Sequence, residues 1–159
     1  MIYISFDYTG VEIDQDTMKI AINKAFDVMQ KSDYNFSLSD IDLYFIGDRE
    51  MIQLNTLWRG KESSTDILSF PSEGEGISLD SFVDPEIDTQ DPSMGELFVS
   101  LDVAQKQADQ WGHDIYNECQ LLFVHGVLHL LGYDHELGAK EEKEMFDIQN
   151  TIMEIIEKS

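Results

Sequence analysis

Residues 125–135 read His-Gly-Val-Leu-His-Leu-Leu-Gly-Tyr-Asp-His, and three of the chain's four histidines fall within them, separated by four and then six positions. On an α-helix, residues four apart stand one above the other on the same face, so His125 and His129 can aim their imidazoles at a common point. Gly132 follows directly on Leu130 and Leu131. A glycine there can take the left-handed conformation that ends a helix and turns the chain back, bringing His135 round to the same point. Three neutral imidazoles converging, with a fourth direction open, are the ligand set of a catalytic zinc site. The plainer alternative is a cluster of structural histidines on a buried helix.

The residue after the first histidine narrows the chemistry. In H-E-x-x-H peptidases it is a glutamate that activates the metal-bound water, and the longer metzincin pattern continues with the same spacing to a third histidine. Here the position is Gly126. The ligands of a metallopeptidase are present and its general base is absent, which speaks against peptide hydrolysis by that route but not against other metal-assisted hydrolysis. His113, which follows the helix stop Gly112, is expected to take no part.

Outward from this stretch, periodicity predicts the remaining elements. Residues 2–8 alternate as a strand, and Asp14 or Asp16 can cap a helix to about Lys31 with Met18, Ala21, Ile22, Ala25, Phe26 and Met29 inward. Residues 41–46 form a strand, Asp48 caps a short helix, and residues 65–70 form a strand stopped by Pro71. Residues 95–100 form the next strand, and Ser100 or Asp102 caps a helix through Trp111. A buried helix from about Ile115 to Leu131 carries the first two histidines. The last helix, from about Ala139 to Ile156, turns Met145, Ile148, Ile152 and Ile155 inward. Between the third and fourth strands, residues 72–94 hold seven acidic residues, no Lys or Arg and two of the three prolines, the composition of a mobile acidic loop. The order βαβαββααα predicts an α+β fold: a small mixed sheet with helices packed on it and the metal-binding helix at the centre.

At 159 residues the chain suits one domain, 1–159, with a sizeable core, and 42% hydrophobic residues argue against global disorder. No apolar run is long enough to span a membrane, and the first residues lack the pattern of a signal peptide. Cys119 is the single cysteine, so no internal disulfide or cysteine metal site is expected. Together these features suggest a soluble cytoplasmic protein. The formal charge of −22, with ten Lys and Arg in all, leaves little for the basic patch of a typical nucleic-acid binder. A phosphate-bearing partner must therefore meet a local positive feature such as a metal and one or two arginines, while solubility accounts for most of the acid.

With these residues placed, the chain resembles the YbeY family, bacterial metal-dependent endoribonucleases of ribosomal RNA maturation. The family signature H-G-x-L-H-L-x-G-Y-D-H is matched at every fixed position by His125–His135. Leu54–Pro71, LNTLWRGKESSTDILSFP, resembles a second family block, L-N-x-x-[YW]-R-x-K-x-x-x-T-D-V-L-S-F-P. Met94–His113 resembles a third, L-G-D-I-x-I-S-x-x-x-A, with Glu96 in place of its aspartate. With EEKEMFDIQ near the C-terminus, the resemblance covers most of the chain from about residue 40 onward.

The resemblance implies a zincin-like α+β fold, metal ligation by His125, His129 and His135, and a functional role for Arg59. It also implies single-strand-specific RNase activity and association with ribosomal RNA, the small ribosomal subunit and its assembly proteins. One divalent ion, zinc by the ligand set, would lower the pKa of a bound water to about 7 and polarise a phosphoryl oxygen, though nickel, cobalt or copper can load three imidazoles in vitro. Arg59 would pair with the phosphate and offset the added charge of the transition state; without the resemblance it reads more simply as a surface arginine after a helix. Asp134 could orient an imidazole or cap the segment that follows, and Thr65 and Asp66 could border the cleft or simply begin a strand. No residue obviously replaces the missing glutamate as base. Two rival functions are a zincin-type metallopeptidase and a non-catalytic assembly factor with a structural metal.

Overall fold

A computed structural model describes residues 1–7, 10–72 and 93–159. The expectation of a mobile loop at 72–94 falls on residues 73–92, outside the described residues. The elements are β1 (Ile2–Phe6), α1 (Gln15–Lys31), β2 (Ile41–Ile46), α2 (Asp48–Arg59), β3 (Ile67–Pro71), β4 (Gly95–Ser100), α3 (Leu101–Trp111), α4 (Ile115–Leu130) and α5 (Ala139–Lys158). Among the described residues this is the expected α+β order.

The four strands form one mixed sheet in the order β1-β2-β4-β3, with β1, β2 and β4 parallel and β3 antiparallel on the edge beside β4. Side chains alternate across a strand, and the two central strands use both faces. Ile41, Leu43, Phe45, Leu97 and Val99 join the main core with α1, α3, α4 and α5. Ile46 and Phe98 point the other way, into a smaller cluster with Met51 of α2 and Leu68 of β3. The sheet is thus a middle layer, and its buried strands are apolar on consecutive positions for that reason.

Local chemistry sets the helix ends. Asp14 caps α1, accepting from the Thr17 N–H at 3.1 Å, and Ser100 caps α3, accepting from Val103 at 3.2 Å. Asp48 does not cap α2 as expected. Gly47 holds the N-cap position, and the Asp48 N–H donates to Asp102 Oδ2 of α3 at 2.7 Å, while the Asp48 carboxylate accepts from the Ser64 hydroxyl. Asp102 therefore caps its neighbour rather than its own helix, a contact between residues 54 apart that no local pattern announces. Pro71 is the last residue of β3 rather than the stop after it, tolerated because β3 is an edge strand. In α5, Ile156 and Met153 are buried and Ile155 is 43% exposed, so the apolar stripe passes one residue beyond the expected one.

Helix α4 lies against the sheet at close range. A Cβ at Gly126 would stand 2.6 Å from Ile67 Cδ1 and 2.9 Å from Leu97 Cδ2, so the glycine lets the helix backbone approach β3 and β4 this closely without displacing those methyl groups. Beyond the last turn, Gly132 takes φ 101°. Its N–H donates to the His129 carbonyl and the Tyr133 N–H donates to Leu128, each at 3.0 Å, the paired bonds of a Schellman stop.

Candidate metal centre

The end of α4 and the turn after it assemble the site. His125 and His129 lie one helical turn apart, and the reversal at Gly132 returns His135 beside them. One nitrogen from each of the three rings lies within 4.8 Å of the others. The ring centroids stand 4.7 Å apart for His125 and His129 and 5.3 Å apart for each pair with His135. His113 stands elsewhere, paired with the buried Glu118 carboxylate at the start of α4.

The rings are oriented by α5. Gln149 is buried, and its Oε1 accepts from His125 Nδ1 at 2.8 Å. An amide oxygen can only accept, so the His125 proton sits on Nδ1 and the Nε2 lone pair is turned toward the other histidines. His125 Nε2 and His129 Nε2 are 3.2 Å apart. Two nitrogens about 2.0–2.1 Å from one tetrahedral zinc would stand about 3.3–3.4 Å apart, so this pair is already spaced as two ligands of one ion. His135 Nδ1 is buried without a hydrogen-bond partner among the described residues. Phe146 of α5 faces His125 and His135 with ring centroids 6.3 and 6.0 Å away, walling the rings with an apolar surface.

Burial holds both His125 and His129 below the usual imidazole pKa. For His125 the Gln149 bond and the Asp66 charge oppose burial, while His135 adds to it. For His129 the other two histidines add to burial, and Asp134 and Glu136 oppose it. Neutral imidazole is the form that binds a metal, so the spacing, the fixed tautomer, the orphaned nitrogen and the suppressed protonation all fit a divalent cation.

The three histidines open into a cleft of about 770 Å³. Arg59, the exposed last residue of α2, borders it, as do Lys61, Thr65, Asp66 and Asp134. The turn that carries Arg59 is fixed by Asn55 Nδ2 donating to the Ser63 carbonyl at 2.7 Å and by left-handed Gly60. Asp66, just before β3, borders the cleft, its carboxylate accepting from the Ile67 N–H and from Gln107 Nε2. Asp134 Oδ1 accepts from the Glu136 N–H at 2.8 Å, a bond to the segment that follows it.

Gln149, Phe146 and Trp58 were not singled out by the sequence pattern. A signal existed for Gln149, a lone amide between Ile148 and Ile152 on an otherwise apolar stripe. Phe146 by periodicity reads as one more apolar residue of an amphipathic helix; its place in EEKEMFDIQ, like that of Trp58 at the [YW] position of the second block, was part of the resemblance without a role attached.

The position of the peptidase glutamate is crowded by packing, since a β-carbon at Gly126 would displace the Ile67 and Leu97 methyl groups. Among the described residues no helix is long and apolar enough to cross a membrane.

Comparison with known proteins bears on the family and the fold. The family model described as Endoribonuclease YbeY matches residues 3–157. A curated protein named Endoribonuclease YbeY from Leptospira interrogans is 39% identical over 136 residues, covering 82% of this chain and 96% of its own length. Another of that name, from Limosilactobacillus reuteri, is 36% identical over 153 residues, covering 94% and 93%. A solution structure of a Thermotoga maritima protein shares the fold with a TM-score of 0.63 at 24% identity, covering 98% of this chain and 89% of that one.

Proposed function

Because the chain belongs to the endoribonuclease YbeY family, we propose that it acts as one domain, 1–159, cleaving single-stranded RNA with a divalent ion in maturation of small-subunit ribosomal RNA. The observation that carries the reading is the convergence of three imidazoles on one point inside a cleft bordered by an arginine. His125, His129 and His135 would hold the ion, and zinc is the ion that three imidazoles suit. When bound, the ion supplies Lewis acidity toward water and a phosphoryl oxygen.

The protein groups do the positioning. Gln149 holds His125 in the tautomer that presents Nε2, and Phe146 keeps water off the rings. Arg59 offers a planar fork of donors that matches two phosphoryl oxygens and offsets the charge gained as the phosphodiester is attacked. With the chain at −22, long-range attraction for RNA is weak, and recruitment to ribosomal RNA by the small subunit and its assembly proteins supplies the encounter in a cytoplasmic setting.

The test is metal analysis of the purified protein beside cleavage of single-stranded RNA by wild type and His129→Ala. Wild type is expected to carry about one divalent ion per chain and to cut RNA, and the variant to lose both. A metal-free, inactive wild type would overturn the proposal, and casein turnover without RNA cleavage would restore the peptidase alternative.

A further inference from the structure

The same cleft carries aromatic surface that metal chemistry does not use. Trp58, one residue before Arg59, borders it, and so does Phe70 of the edge strand β3. The two rings meet edge to face with centroids 5.8 Å apart and an interplanar angle of 65°. Phe70 is braced from behind by Phe98 at 5.7 Å, which itself stacks on Tyr44 at 4.7 Å. Phe70 packs on the small cluster under α2, but Trp58 is outside that cluster. Both rings are half-buried, and an edge-to-face pair leaves at least one face of a ring uncovered by the other.

We propose that Trp58 and Phe70 form a nucleobase-stacking subsite that binds an unpaired base of single-stranded RNA beside the metal centre. The proposal rests on the reading of the cleft as an RNA site and names how that RNA is gripped. Charge makes stacking necessary. Besides the ion of the proposed reading, the described residues of the cleft offer two cationic side chains, Arg59 and Lys61, against the carboxylates of Asp66, Asp134 and Glu136. Two phosphate contacts give a salt slope of only about −1.4 for a single strand, so phosphates alone hold it weakly. Stacking on an aromatic ring contributes about 1–3 kcal/mol per base and needs no positive charge. A base paired within a duplex has no free face to offer, so the subsite selects single strands. One short stretch, Trp58 to Lys61, thus presents a ring and two cations.

The test uses intrinsic fluorescence. The chain has two tryptophans, and Trp111 is 71% exposed at the end of α3, outside the cleft. Trp111→Phe leaves Trp58 as the sole reporter. A short single-stranded 2′-O-methyl RNA should quench it in the metal-loaded protein, with little loss between low and moderate salt. An abasic strand or a duplex at the same concentration should not. Trp58→Leu should raise KM for single-stranded RNA by about 5- to 150-fold, the range that 1–3 kcal/mol implies, with kcat and metal content held. Trp58→Phe should restore most of the loss. Unchanged fluorescence on adding RNA, while wild type still cleaves it, would overturn the subsite and leave the endoribonuclease reading standing. Quenching without cleavage by wild type would do the reverse. Quenching by casein and not by RNA would reassign the rings to a protein segment and overturn the proposal.

Discussion

Replacing Gly126 by glutamate would restore the residue that follows the first histidine in H-E-x-x-H peptidases, and the expected outcome is loss of stability rather than a change of activity. The new Cβ would fall 2.6 Å from Ile67 Cδ1, and 2.9 and 3.2 Å from the two methyl groups of Leu97, which is fully buried. Forcing these groups apart costs about 1–3 kcal/mol. The carboxylate would enter an apolar seam, and burying it unpaired adds about 3–5 kcal/mol. Exchanging glycine for a better helix former returns less than about 1 kcal/mol. The net is about 3–7 kcal/mol, a large part of the 5–15 kcal/mol that holds a typical domain folded. At about 2–4 °C per kcal/mol for a chain of this size, the melting temperature should fall by at least about 6 °C. Gly126→Ala is the control. It carries the steric term and the helix gain without the charge, so it should cost no more than about 2 kcal/mol. Urea unfolding of metal-stripped protein followed by circular dichroism measures all three chains. A glutamate variant within about 1 kcal/mol of wild type would refute the close approach of α4 to β3 and β4, and gain of casein hydrolysis by it would refute the account of why this site is not a peptidase.

Three further outcomes follow from the site. Arg59→Ala should lower kcat for RNA about 10²- to 10³-fold, as loss of one transition-state donor does, with metal content and melting temperature unchanged; wild-type turnover would remove Arg59 from the chemistry. Gln149→Leu should weaken metal affinity about 10- to 100-fold, read by competition with a chromogenic chelator, because His125 loses the partner that fixes its tautomer. An unshifted affinity would show the bond to be incidental. In the metal-free protein, burial lowers the pKa of His125 and His129 in the folded state. The unfolded chain therefore takes up protons first, and the stability tied to this pair is full above about pH 6.5 and declines as the pH falls through that value toward the folded pKa values. Melting temperatures of metal-stripped protein from pH 8 to 5.5 should follow that sign, and His125→Asn with His129→Asn should flatten it. A rise in stability on acidification over that range would contradict the burial of the pair.

Much of the architecture was legible because its signals are local. The strand and helix order follows from periods of two and 3.6, and Gly112 and Gly132 mark helix ends through backbone conformations that other residues adopt at a cost. The clustering of the three histidines was legible because one turn of helix and one glycine reversal bring them together within eleven residues. The sheet order was not legible. β4 inserts between β2 and β3, and no property of residues 95–100 says which strands it will join. Asp102 capping α2 and Gln149 gripping His125 were hidden for the same reason, since each is a tertiary contact across 54 and 24 positions. Gly126 was read as a missing base. Its positive reason, the room it leaves for Ile67 and Leu97, appears only when the helix is laid on the sheet.

The Schellman reversal after α4 also bears on the order in which the molecule can assemble. His125 and His129 are fixed by one helical turn, so gathering the ligands requires closing only the six positions to His135, an entropic cost on the order of 1.6 kcal/mol above the constant for any loop. A ligand set scattered across a hundred residues would face about 4 kcal/mol on the same scale and could not form before the whole topology had. Here the convergence of the three rings needs only α4 and the turn that follows it, whereas Gln149 and Phe146 come from α5. An ion held by these histidines would therefore take its ligands from local structure, and would need the rest of the fold only for the groups on α5 that brace them.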